Sequence, residues 1–238
     1  MLRVVKPERL DELPPNDPLA VGSRTDIRRL NSILGSANVL ALALRQHLPN
    51  TIGSSRPLRW VDLGGGDGTL LLQMARQLAP LGFTAHATIV DRHSLISGET
   101  RHAFALLKWT VESVAADVFD WLKPADSSPP VDVMIANLFL HHFPGRRLAA
   151  LLRLVAARTR LFVACEPCRS PLALTAARMT FLLGCNSVTR HDAVVSVNAG
   201  FVGDELSALW PAGTNWELLE QATGFFCQSF IAKPKATA

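Results

Sequence analysis

The chain has 238 residues, 48% of them apolar and 18% charged, which suits one sizeable core with a helical appendage and excludes a disordered chain. Its net charge of +4 comes from scattered arginines rather than a basic stripe, which argues against a nucleic-acid substrate. No apolar run approaches the roughly 18 residues of a membrane span, and Met1-Leu2-Arg3 leads into charged, proline-rich sequence, so a cytosolic protein without signal peptide or span is expected.

Residues 1–23 carry Pro7, Pro14, Pro15 and Pro18 and read as an extended lead-in with little regular structure. From Arg24 the apolar positions Ile27, Leu30, Leu34, Ala37, Ala41, Leu44 and Leu48 alternate spacings of three and four, a helical stripe that Gly35 and Asn38 can split in two. Arg24, Arg28, Arg29 and Arg45 lie on the opposite face, either as a solvated surface or as part of a lid. Residues 1–57 are therefore set apart as an N-terminal extension and helical lid, and 58–238 as the main domain.

After a turn-rich break from Asn50 to Pro57, a strand ends at Leu63 and a helix runs to about Pro80. Further strands are predicted at Thr84–Asp91, Thr110–Ala115, Val131–Asn137 and Arg160–Cys165. Helices are predicted at Ser94–Leu107, around Leu148–Val155 and at Pro171–Leu183, with a loop at Lys123–Pro130. Short helices are expected at Asp192–Gly200 and Asp204–Trp210, then a hairpin of Trp216–Gln221 and Phe225–Ala232 turning at Thr223-Gly224. Alternating strands and helices predict an α/β fold, a doubly wound, mostly parallel Rossmann-like sheet. Seven strands are expected, with one antiparallel near the C-terminus. The four cysteines supply a single Cys165-x-x-Cys168 pair without a second, so buried free thiols are expected and no metal site.

The stretch Trp60 to Leu72, W-V-D-L-G-G-G-D-G-T-L-L-L, joins strand, glycine-rich turn and helix. That arrangement brings backbone close to a nucleotide-type ligand. A dinucleotide fingerprint would be G-x-G-x-x-G, but Thr69 holds the third position. The pattern present is D-x-G-x-G-x-G at Asp62, Gly64, Gly66 and Gly68. Here the chain resembles the class I methyltransferases that use S-adenosylmethionine, over about residues 58 to 232.

The resemblance implies S-adenosylmethionine as cofactor and assigns residues to it. Asp91, ending the second strand, would hold the ribose hydroxyls with its two acceptor oxygens. Asp117 would face the adenine amino group, or else cap a short turn, and Val118 or Phe119 beside it would pack on the ring. Asn137, ending the fourth strand, would meet the methionine part. Asp62 would either orient the glycine turn or bind the cofactor's ammonium. The closing antiparallel hairpin also belongs to this family's sheet.

Amino-methylating DNA enzymes of this fold carry two prolines after the fourth strand, where this chain has Asn137-Leu138-Phe139-Leu140. The apolar segment N-L-F-L-H-H-F resembles small-molecule methyltransferases, including quinone C-methyltransferases and bacterial enzymes of polyketide pathways. The partner expected is a small-molecule methyl acceptor, O-methylated on an aromatic or polyketide-like hydroxyl, with C-methylation of a quinone-like ring as the alternative. His142 and His141 are candidate bases that can take a phenolic proton, or structural residues that hydrogen-bond nearby backbone. Glu166, in A-C-E-P-C, would orient a histidine, bind a substrate hydroxyl, or pair with Arg169. Arg190-His191-Asp192 is a third cluster. A nicotinamide-dependent reductase is disfavoured by Thr69 and by the absence of any tyrosine for a Tyr-x-x-x-Lys relay. A non-catalytic cofactor-binding module remains the other alternative.

Overall fold

A computed structural model of the chain describes residues 1–48, 56–123, 130–213 and 215–235. Most of the break before the first strand, and most of the Lys123–Pro130 loop, lie outside the described residues. The sheet is built from β1 (Leu58–Leu63), β2 (Ala85–Asp91), β3 (Thr110–Ala115), β4 (Val131–Asn137), β5 (Thr159–Pro167), β6 (Trp216–Thr223) and β7 (Cys227–Pro234). Their order across the sheet is β3-β2-β1-β4-β5-β7-β6. The first five strands are parallel, and β7 runs antiparallel to both β5 and β6. This is the expected seven-stranded, mostly parallel sheet.

Side-chain alternation along the strands feeds two cores. One face carries Trp60, Ile89, Val133, Ile135 and Val163. It packs on Leu40 and Leu44 of α3 (Ser36–His47), Leu71 and Met74 of α4 (Thr69–Leu78), and Phe104 of α5 (Gly98–Leu106). The other face carries Val61, Leu63, Met134, Phe162 and Phe230. It packs on Leu122 of α6 (Val118–Leu122) and on Leu148, Leu151, Leu152 and Val155 of α7 (Gly145–Arg158). All seven residues of β4 are buried, as a central parallel strand covered on both faces requires.

The N-terminal region departs from the extended lead-in expected of it. A short helix α1 spans Arg9–Glu12, and α2 (Pro18–Leu34) begins well before Arg24. Asp17 accepts a hydrogen bond from Leu19 N and Pro18 occupies the first turn, a cap and a pre-set φ that together start the helix. Gly35, at φ +67°, separates α2 from α3.

Several boundaries also differ, among them the helix expected from Ser94, which starts only at Gly98. The helix expected at Pro171–Leu183 is α8 (Pro171–Arg178) followed by a 3-10 turn at Met179–Leu183, and the helix at Asp192–Gly200 is a longer α9 (Ser187–Ala199), started by the Asn186 side chain accepting from Thr189 N. The helix expected at Asp204–Trp210 is only a 3-10 turn at Ser207–Leu209. The hairpin turn takes in Phe225 and Phe226, with Gly224 at φ +64°. Cys165, Cys185 and Cys227 are buried and Cys168 half-buried, all as free thiols.

Candidate active site

The C-terminal ends of β1, β2 and β4 meet where the strand order reverses between β1 and β4, the usual ligand crevice of an open parallel sheet. A cavity of about 780 Å³ opens there. That lies in the upper part of the roughly 300–1,000 Å³ range of small-molecule sites and leaves room for two ligands.

The glycine turn forms one wall. Gly64 and Gly66 both hold positive φ, +71° and +56°. A Cβ at Gly64 would lie 2.3 Å from the Phe139 ring, whereas one at Gly66 would meet nothing and would stand in the open. Gly68 does not line the cavity; it ends the turn against Ile89 and starts α4.

Asp91 reaches across to the turn. Its Oδ2 accepts from Gly66 N at 3.0 Å and its Oδ1 from His93 N at 3.1 Å. Asp62 lies behind them and is fully buried, and its Oδ2 has no hydrogen-bond partner. Burial, and then the nearby Asp91 carboxylate, push the Asp62 carboxyl up to about 8. Asn137 donates from Nδ2 to Asn31 Oδ1 at 3.2 Å, and its buried Oδ1 also lacks a partner. Asp62 and Asn137 both line the cavity, so two orphaned acceptors stand at its edge. Asp117 caps α6 by accepting from Phe119 N at 2.8 Å; it and the buried Val118 line the cavity beyond Asp91.

The other end of the cavity is aromatic. Phe139 and Phe143 meet edge to face at 5.2 Å, and Phe119 meets Phe143 in the same way at 5.6 Å. The backbone leaves β4 sharply: Leu138 holds φ +51°, a left-handed conformation that costs a non-glycine residue about 1–2 kcal/mol. Glu166 holds that turn in place. Its carboxylate accepts from Phe139 N (2.9 Å), Leu140 N (2.8 Å), His141 N (3.3 Å) and His141 Nδ1 (2.7 Å). Of the roles expected of Glu166, orienting a histidine is the one the geometry displays. It is fully buried, does not line the cavity, and Arg169 pairs with Glu205 instead.

His141 is buried between two carboxylates, with Nδ1 on Glu166 and Nε2 3.2 Å from Glu8 Oε1. Burial lowers its basicity, but its hydrogen bonds to the accepting Glu166 and Glu8 carboxylates outweigh that and raise its pKa to about 9. His142 stacks on it at 4.4 Å and lines the cavity. Its Nδ1 lies 3.2 Å from Asp11 Oδ2, and its Nε2 lies 3.9 Å from Glu8 Oε2.

Glu8 and Asp11 are absent from the sequence reading. Both sit in the proline-rich lead-in, 133 residues from the histidines in the case of Glu8, and no local pattern marks them. The lead-in is pinned by Arg3, which donates to the carbonyls of Ala199 and Phe143, and by Asp192, whose carboxylate accepts from Arg9 N and Leu10 N at the start of α1. Asp192 also holds His191 at 2.8 Å, and that histidine does not line the cavity. The third cluster thus serves to anchor α1. Arg28 of the arginine face reaches the glycine turn through Asp67 at 2.6 Å.

No protein-family profile matches the chain, and no curated protein matches it in sequence. Solved structures match in shape. An O-methyltransferase family protein from Burkholderia thailandensis superposes with a TM-score of 0.57 at 17% identity, over 92% of this chain and 60% of its own length. The mitomycin 7-O-methyltransferase MmcR gives 0.55 at 14% identity, over 94% of this chain and 60% of its own. The CMeT domain of the citrinin polyketide synthase gives 0.53 at 14% identity, over 83% and 52%. The chain therefore spans between half and two thirds of the length of these proteins. With the strand order, the closing antiparallel hairpin and the glycine turn, the chain has the fold of the class I S-adenosylmethionine-dependent methyltransferases.

Proposed function

We propose that this chain transfers a methyl group from S-adenosylmethionine to a small acceptor, O-methylating an aromatic or polyketide-like hydroxyl. The observation that carries the reading is the crevice edge itself: the Asp91 carboxylate drawn onto Gly66 N–H, beside the orphaned Asp62 Oδ2 and Asn137 Oδ1. These residues fit the cofactor's polar groups. Asp91 offers two acceptor oxygens to a ribose, and an ionised Asp62 offers an anion to an ammonium. Asn137 Oδ1 accepts a further proton, and Val118 and Asp117 line the place for a base. Gly66 leaves open the space that a Cβ would fill. When bound, S-adenosylmethionine supplies a methyl carbon on a cationic sulfur, a strong electrophile.

The chain's own work is then alignment and proton removal. Phe139 and Phe143 supply an apolar wall for a flat acceptor. His142 Nδ1 lies 3.2 Å from Asp11 Oδ2, a neighbour that favours the tautomer with its proton on Nδ1 and a lone pair on Nε2. We assign His142 as the base that takes the hydroxyl proton as the new O–C bond forms. His141 has both nitrogens engaged and acts as a positioning residue, held by Glu166. The segment carrying α1 and α2 closes the acceptor side as a lid, since Glu8, Asp11, Ile27, Arg28 and Asn31 all line the cavity. Among the described residues no helix is long and apolar enough to cross a membrane. Buried unpaired thiols favour a reducing, cytosolic setting, and the shape likeness to MmcR favours secondary metabolism.

Incubating the purified chain with methyl-labelled donor and a panel of phenols and hydroxyquinones tests the reading. Label transferred to oxygen supports it. Label on ring carbon corrects it to C-methylation. Saturable cofactor binding with no transfer to any acceptor leaves a binding module.

A further inference from the structure

We propose that Glu8, His141 and His142 form a site for one divalent transition cation of the zinc type. They are the one cluster among the described residues in which three such side chains each place a ligand atom within 4.8 Å of the other two. Zinc binds imidazole nitrogen and carboxylate oxygen at about 2.0–2.2 Å, so neighbouring ligands of a tetrahedron stand about 3.3–3.6 Å apart. Here Glu8 Oε1 lies 3.2 Å from His141 Nε2, and Glu8 Oε2 lies 3.9 Å from His142 Nε2. The two imidazole nitrogens thus face the two oxygens of one carboxylate, and one ligand atom from each of the three residues lies within 4.8 Å of the others.

The second, independent observation is at the far nitrogens. His141 Nδ1 is hydrogen-bonded to Glu166 at 2.7 Å, and His142 Nδ1 lies 3.2 Å from an Asp11 carboxylate oxygen. A carboxylate behind each imidazole fixes the tautomer and turns Nε2 toward the metal, which is how metal-binding histidines are supported from the outer shell. Glu8 is fixed in turn by the Ser196 hydroxyl, which donates to its carboxylate. Imidazole ligands select zinc-type cations over magnesium or calcium, which prefer oxygen throughout. Two neutral imidazoles and one carboxylate leave a net positive centre with a fourth position free. All three ligands line the cavity, so the cation can enter from it. On binding, the cation takes the place of the proton on His141 Nε2.

One consequence rests on the proposed base, although the binding does not. The cation uses the same Nε2 lone pair that lets His142 accept a proton, so cation and base exclude one another, and zinc stops His142-dependent methylation.

The test is calorimetric titration of the full chain, stripped with chelator, with zinc chloride in the absence of methyl donor and acceptor. Cobalt(II) titration followed by visible absorption runs in parallel. One saturable equivalent of zinc, no binding of magnesium at that site and a cobalt spectrum without a thiolate charge-transfer band are expected. Glu8→Gln and His142→Ala should each weaken binding about 100-fold or more, and Asp11→Asn about 10-fold, as loss of an outer carboxylate does. Circular dichroism melts report whether each variant folds; Glu8→Gln keeps an oxygen for Ser196, so it answers if His142→Ala does not fold. Absence of a saturable single equivalent overturns the proposal. So does affinity that is equal in wild type and the folded variants, or a thiolate band, which would put the cation on the cysteines. Either result leaves the methyl-transfer reading untouched.

Discussion

Replacing Asp62 by Asn separates what this carboxyl costs the fold from what it offers a ligand. In the unfolded chain the group ionises at its ordinary value of 3.8; buried in the crevice it does so at about 8. Between those two values the unfolded chain binds fewer protons than the folded one, so stability falls as pH rises. Below pH 3.8 the group is protonated in both states and costs nothing. At pH 7 the difference spans about three pH units, a penalty on the order of 4 kcal/mol. Asn removes that penalty but buries an amide with an unmet hydrogen bond, which costs about 1–3 kcal/mol. The net expectation is that Asp62→Asn stabilises the cofactor-free chain by about 1–3 kcal/mol at pH 7 and gives no gain near pH 4. Urea denaturation of both proteins across pH 4–8 measures the difference directly and cancels every other titrating group. A ligand ammonium must find Asp62 ionised, so S-adenosylmethionine affinity should rise about 15-fold from pH 6 to pH 7.5, after allowing for the α-amino group beginning to lose its own proton near 7.7–8.0. The variant should bind weakly and without that slope. A variant no more stable than wild type at pH 7, together with parallel affinity slopes, would refute the reasoning.

Asp91→Ala frees the Gly66 and His93 amides and removes two charged acceptor oxygens; calorimetry should show about a 100-fold loss of S-adenosylmethionine affinity, near 3 kcal/mol. Unchanged affinity would remove Asp91 from the cofactor site. Glu166→Gln breaks a buried carboxylate that satisfies three backbone amides and one imidazole, and a loss of about 3–5 kcal/mol in denaturant unfolding is expected. His142→Ala should lower the methylation rate by about 10²–10⁴-fold, measured on a phenol that wild type methylates. A wild-type rate in that variant would exclude His142 as the base.

The residues proposed for the cofactor are legible in the sequence because they are local. Asp62 to Gly68 is one continuous turn, and Asp91, Asp117 and Asn137 each end a strand whose apolar pattern marks its end. The register of parallel strands then brings those ends together without further information. The acceptor half was legible only on one side. His141, His142 and Glu166 stand next to strand ends, where the sequence pattern marks them. Their partners Glu8 and Asp11 come from a segment whose prolines obscure its role, since Arg3 and Asp192 hold that segment through contacts some 140 to 200 residues away in sequence. The misplaced start of α2 is different: Asp17-Pro18 is a cap signal in plain sight, outweighed by the other prolines around it. Asn186 before α9 is a second cap of that kind.

The anchoring of the first twelve residues also sets the order in which the molecule can be completed. They are made before their docking partners Phe143, Asp192, Ser196 and Ala199. Closing so long a loop is slow compared with pairing β1, β2 and β3, which lie close together in the chain. The crevice edge with its glycine turn can therefore take shape early. The wall around the two histidines waits for α9 and for the return of the N-terminus. Until that return, the glycine turn and Asp91 can already meet, while Glu8 and Asp11 are still missing from beside the two histidines.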